Sequence, residues 1–311
     1  MTTALERAAE IEAELDAPAR APQGPFRRFV ADFTRSRLAL LGLAVFTVVA
    51  IAAVFAPWLA PQDPYDLAEI DIMDSTLPPG ETSFAGQTYW LGTDGQGRDM
   101  LSAIMYGLRT SLGVGAMSAL LALGLGMSMG LIAAYFGGWV ETLIMRIVDV
   151  QLSFPAILVA LILLAILGQG VDKIIIALVA VQWAYYARTV RGTALVERRK
   201  EYIEAALCLG FSHRRVVFGH LLPNCLPPLI VVVTVQVANA IALEATLSFL
   251  GIGLPITEPS LGLLIANGYD YLLSGRYWIS FFPGVALLVT IVSINLVGDQ
   301  LRDVLNPRLQ R

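Results

Sequence analysis

Residues 188 to 223 read RTVRGTALVERRKEYIEAALCLGFSHRRVVFGHLLP, 36 residues that carry seven of the chain's 21 basic side chains. The stretch predicts a helix, a break and a second helix. Glu197 to Leu209 is rich in helix formers, and Tyr202, Ala205, Ala206 and Leu209 fall at i, i+3, i+4 and i+7 on one face. Gly210 suits the residue after the helix, where a positive φ costs glycine little, and Ser212 suits the N-cap of the next helix, which Pro223 ends or kinks. The Ala205–Ala206 face is nearly flat and flanked by charge, a surface fit for docking into another protein's groove. His213 and His220 lie seven apart, on one side of a helix, and without a third ligand they point to a wet interface rather than a metal.

On both sides of this segment the chain turns apolar. A bilayer crossing takes about 20 apolar residues, at about 1.5 Å each against a hydrocarbon core of about 30 Å. Leu38 to Ala60, Leu112 to Phe136, Val150 to Leu167, Leu226 to Leu250 and Trp278 to Val297 meet this, and Glu244 is the only charge in the fourth of them. Ile174 to Ala187 is shorter, but Lys173 and Arg188 at its ends can snorkel and lengthen it. The prediction is six helices in an all-α membrane protein. With 56% hydrophobic and 15% charged residues among 311, the composition agrees.

Orientation follows from the basic residues. The tail before Leu38 holds six, the 188–223 loop seven and the tail after Val297 three, whereas Arg98, Arg109, Lys173 and Arg276 lie on the other side. By the positive-inside rule both termini and the 188–223 loop are cytoplasmic. The predicted divisions are a cytoplasmic tail 1–37, a first span 38–60, an outer region 61–110 of loops or short helices, a core 111–300 and a cytoplasmic tail 301–311. MTTALERAAEIEAELDA has no apolar core of a signal peptide, and its Ala- and Glu-rich run could form a short helix or a mobile tail. A net charge of −4 offers no basic surface for nucleic acid, and Cys208 and Cys225 fit neither a disulfide scaffold nor a zinc site.

Several chemistries are missing. There is no GxxxxGK[ST] loop, HExxH, GxSxG or CxxC. LGTDGQGRD (91–99) follows no apolar strand, so it predicts a structured outer turn rather than a nucleotide site. Gly126 and Gly130 stand at GxxxG spacing and predict close helix packing, while Pro155 and Pro283 predict a moving kink or a static bend. Arg146 and Asp149, three apart, are read as an ion pair at the membrane edge. Glu244 has no local partner, and suggests either a pathway residue or an interhelical hydrogen bond.

EAALCLG (204–210), followed after nine residues by HLLPN (220–224), resembles the EAA motif of ABC-importer permeases. FAPWLAPQDPY (55–65), LGTDGQGRD (91–99), YFGGWVE (135–141), RIVDVQLSFP (146–155), EATLSFLGIG (244–253) and LRDVLNPR (301–308) are similar to the dipeptide, oligopeptide and nickel subfamily, from about Arg35 to Arg308. The resemblance implies a type I ABC importer permease of a bacterial inner membrane. It also implies alternating access, a second homologous permease, two ATPases that hold the ATP and magnesium, and an extracytoplasmic solute-binding protein. This chain itself would hold no cofactor and catalyse nothing. The resemblance further implies that Glu204 anchors the ATPase groove, Ala205 and Ala206 form the close-contact face, Gly210 makes the turn, and Leu222 and Pro223 complete the coupling segment. The competing reading is a self-contained channel or secondary transporter with Glu244 in the pathway; internal repeats would favour it, and none is evident between the halves.

Overall fold

The computed structural model describes residues 24–66, 69–83, 86–255 and 258–305; the N-terminal run 1–23 and residues 306–311 lie outside the described residues. A nine-residue helix α1 (Pro25–Phe33) leads through the N-cap Ser36, whose Oγ accepts from Ala39 N–H at 3.2 Å, into α2 (Arg37–Val54). The helix stops at Phe55, and a single further turn over Ala56–Leu59 holds Pro57 near its start, where the missing N–H costs nothing. Most of α2 is exposed on the single chain, as a helix facing lipid should be: Leu41, Val48 and Val54 show 59–67% of their surface.

Helix α3 (Met100–Phe136) is the longest element, 37 residues. It begins 12 residues before the apolar run at Leu112, so residues 100–110 of the expected outer region form the first turns of this long helix. Its start is set by Asp99, buried, whose carboxylate accepts from Ser102 N–H at 2.8 Å and from the Ser102 hydroxyl at 2.6 Å. Asp99→Ala removes this cap and strands buried donors. It is expected to cost about 1–2 kcal/mol, read as a lower Tm of the detergent-solubilised protein.

At its far end α3 meets Gly137 and Gly138, at φ +66° and +56°, a reversal few other residues could make, and α4 (Gly138–Ser153) follows. Phe154 is extended because Pro155 excludes the helical conformation before it, and α5 (Ala156–Leu167) leaves at 93° to α4. The third expected span is thus sharply bent. The fourth, Ile174 to Ala187, is the middle of α6 (Val171–Glu197), 27 residues long. Residues 188–197 are therefore the last turns of α6, not loop. After a short break comes α7 (Glu201–Cys208), then helix from His213 through a π turn (Val217–Leu221) into α8 (Leu222–Phe249). Pro223 does not end this helix: it sits in the first turn of α8, directly after the widened π turn.

A nine-residue apolar helix α9 (Leu261–Tyr269), capped by Ser260, precedes α10 (Trp278–Leu305), which runs past the expected boundary at 300. Among the described residues four helices are long and apolar enough to cross a membrane (α2, α3, His213–Phe249 and α10), with α4 and α5 a fifth if the bent pair counts as one.

Packing centres on α3 and α6. A Cβ added at Gly126 would lie 2.3 Å from Trp183 O, and one at Gly130 would lie 2.6 Å from Ala187 O, so the two backbones touch where only hydrogen fits between them. On the other side of α3, Gly115 lies against Ile241 of α8. At the Met100 end, the 60–99 region folds onto the bundle. Asp94 and Arg98 form a buried pair at 2.7 Å, Gln62 bridges Glu69 O and Asp99 N–H, and Trp278 Nε1–H donates to Thr93 O at 3.1 Å. The one hairpin among the described residues is tiny, β1 (Glu81–Thr82) with β2 (Thr88–Tyr89).

Candidate functional site

The coupling segment is built at the opposite end of α3. Helix α7 presents two faces. Ile203 and Ala206 are 1% and 4% exposed, and they pack with Val216, Phe211 and Tyr135 of this same chain. Glu201, Glu204, Ala205, Leu207 and Leu209 are exposed. Ala206 therefore does not share the outward face with Ala205, a correction to the two-alanine docking surface; the i, i+3, i+4 stripe is split between an inner and an outer side. Leu222 is likewise turned inward, against the cluster around Leu131 and Tyr186, while Pro223 is exposed. Gly210, at φ +72°, makes the turn out of α7, and Phe211 N–H closes it on Ala206 O.

Tyr135, the last tyrosine of α3, ties this unit to the bundle. Its hydroxyl meets His213 Nδ1, the Arg198 guanidinium lies 5.7 Å over its ring, and Arg198 Nη1 donates to Ala134 O at 2.9 Å. His213 and His220 go separate ways: His220 stacks on Phe211, with centroids 5.8 Å apart. The break between α6 and α7 is clamped by Glu197, which accepts from Lys200 Nζ at 2.6 Å and from the Tyr202 hydroxyl at 2.7 Å. Burial acts to raise the Glu197 carboxyl, but these two donors bring it below its ordinary value, and burial together with Glu197 pushes Tyr202 up to about 12. Glu141, after the glycine pair, binds Arg191 of α6 through Nε at 2.8 Å. None of Tyr135, Glu197 or Arg198 stands out as a site residue in the sequence. Their signal is the pair Tyr135–Phe136 against two glycines at the close of a long apolar helix.

The charged groups near the spans are placed differently from their reading. Asp149 pairs with Arg188 of α6, and among the described residues no ion pair joins it to Arg146. A partner three residues away lost to one 39 residues on, because α4 and α6 run side by side. Glu244 is fully buried and accepts from Ser111 of α3 and Ser248 of its own helix, both at 2.8 Å. It faces no open surface, so it is an interhelical tie between α3 and α8.

The model of the family described as binding-protein-dependent transport system inner membrane component matches residues 122–311, which includes α7 and all of α8 and α10. The chain belongs to this family. A second model, the N-terminal TM domain of oligopeptide transport permease C, matches residues 24–79 of the permease. The dipeptide transport system permease protein DppC of Haemophilus influenzae is 36% identical over 291 residues, 94% of this chain and 97% of that one. The di/tripeptide transport system permease protein DppC of Pseudomonas aeruginosa is 36% identical over 300 residues, 95% and 97% of the two chains. The fold resembles that of the MetNI methionine ABC transporter in an inward-facing conformation, with TM-score 0.55 and 20% identity over 67% of this chain and 98% of that one. The protein is a multi-pass inner-membrane permease of the type I fold, a subunit of an ATP-driven importer that works with partner subunits.

Proposed function

We propose that the permease moves short peptides across the membrane, as one of two similar permease subunits assembled with two ATPases and a solute-binding protein. ATP and magnesium belong to the ATPases, and the bilayer surrounds the rest. The α7 end is cytoplasmic by the distribution of basic residues, and the 60–99 end receives the binding protein. The observation that carries this reading is the outward face of α7: Glu204 and Ala205 are exposed, while Ile203 and Ala206 fasten the same helix to the end of α3. A helix so fixed can transmit force. ATP-dependent closure of the ATPases moves α7, and the permease changes its access only insofar as the docked face binds one global state better than the other.

Reconstitution tests it. Proteoliposomes containing both permeases and the ATPases should accumulate labelled dipeptide only with binding protein and ATP present. Uptake by this permease alone, driven by an ion gradient, would overturn the proposal in favour of a self-contained transporter. Glu244, buried between Ser111 and Ser248, offers no support for that alternative.

A further inference from the structure

At the 60–99 end an open cavity of about 430 Å³ lies between α3 and the start of α6, with Tyr65 in its wall. Tyr106, Arg109, Thr110 and Gly113 line it from successive turns of one α3 face, and Ile175 lines it from α6. Tyr65 packs edge-on against Tyr106, with ring centroids 5.4 Å apart and planes at 71°. Arg109 enters none of the ion pairs among the described residues. It is exposed and stands one turn before the uncharged run that opens at Leu112, where a guanidinium without a counter-anion is open to water or to an anionic ligand. The opposite charge is also at hand. Glu258 is not part of the cavity wall, but its charge helps to raise Tyr65, which is, and its buried Oε2 has no hydrogen-bond partner. Two other acids of the 60–99 region are already engaged: Asp63 accepts from Tyr65 N–H, and Glu69 accepts from Asp63 N–H.

Peptides that differ in every side chain still share a carboxylate at one end and an ammonium at the other. A site serving many of them can hold only these ends and the backbone between. An unpaired arginine forks naturally onto a carboxylate, and a buried carboxylate oxygen lacking a donor fits an ammonium. We propose that this cavity is a transient reception site for a zwitterionic peptide, with its α-carboxylate on Arg109, its α-ammonium toward Glu258 and its backbone across the Tyr65–Tyr106 pair. The proposal rests on the peptide reading given above.

The test uses the assembled transporter with its binding protein. In a Cys208→Ser background, Gly113→Cys places a thiol on the cavity wall, where an added Cβ meets no atom within 4 Å. Cys225 is buried. A membrane-impermeant methanethiosulfonate applied from outside should label this thiol, and dipeptide-loaded binding protein with ATP should slow labelling severalfold. Adding Arg109→Gln should abolish the protection. Arg109→Gln alone should cut dipeptide uptake by about tenfold or more, the scale of losing a charged hydrogen-bonding partner, with Arg109→Lys recovering part of it. Arg276→Gln, which removes the same charge at the same end but away from the cavity, should transport at the parental rate.

A thiol at 113 that stays unlabelled, or uptake unchanged by Arg109→Gln, overturns the site while leaving the peptide reading intact. A parent complex that takes up no peptide with its binding protein overturns both.

Discussion

Ala205→Trp is expected to yield a permease that inserts and purifies as a single species yet loses uptake by more than tenfold in the complete transporter. The indole would project from the exposed side of α7, touching nothing in this chain, into the surface proposed to enter the ATPase groove. Filling a close-packed contact with a large ring costs about 1–3 kcal/mol or more, enough to weaken subunit association about tenfold or beyond. Co-purification of the ATPases with the variant measures assembly directly, and labelled-peptide uptake measures coupling. Ala206→Trp makes the contrast. Its side chain would be driven into Ile203, Val216 and Phe211, so the damage falls on the permease itself: lower yield and earlier unfolding without any ATPase present. If Ala205→Trp assembled and transported like the parent, the outward face of α7 would not be the docking surface.

Gly126→Leu should have the largest effect on the fold. Even its Cβ would lie 2.3 Å from Trp183 O and 2.6 Å from Tyr186 Cβ, and a backbone oxygen cannot swing aside as a side-chain tip can. The α3–α6 contact would have to open along its length, undoing the packing of Ala122, Tyr186 and Val190 as well. The expected result is little or no monodisperse protein by size-exclusion chromatography in detergent. Gly124→Ala, two residues earlier, is the control: nothing lies within 4 Å of its Cβ, and alanine favours helix over glycine by about 1 kcal/mol. It should be neutral or slightly stabilising. Equal tolerance of both substitutions would mean that α3 and α6 do not pack as described.

These pairs also show which parts of the structure could be read along the chain. The apolar runs, the glycines of α3, the turn at Gly210 and the structured turn before α3 each follow from a local rule, and they appear in place. Ala206 did not follow, because alanine is equally small on a docking face and against its own chain; only the positions of Tyr135 and Phe211 decide between them. Asp149 took a partner from a neighbouring helix over one on its own, a choice set by how α4 and α6 lie together. Helix α9 has no signal of its own along the chain, since nine residues interrupted by Asn267 are too few to announce a span. The passage of the helix through Pro223 depends on a π turn, for which hydrophobic periodicity has no signature.

The unbroken length of α3 has a mechanical corollary. At about 1.5 Å per residue its 37 residues make a rod of about 55 Å. One tip is bonded through Tyr135 to the coupling segment, and the other is capped by Asp99 beneath the folded 60–99 region. Pivoting such a rod by about 5° around its midpoint swings each tip by about 2.4 Å in opposite directions. A displacement no larger than a rotamer change at the ATPase would then arrive, reversed in sign and undiminished, on the far side of the membrane.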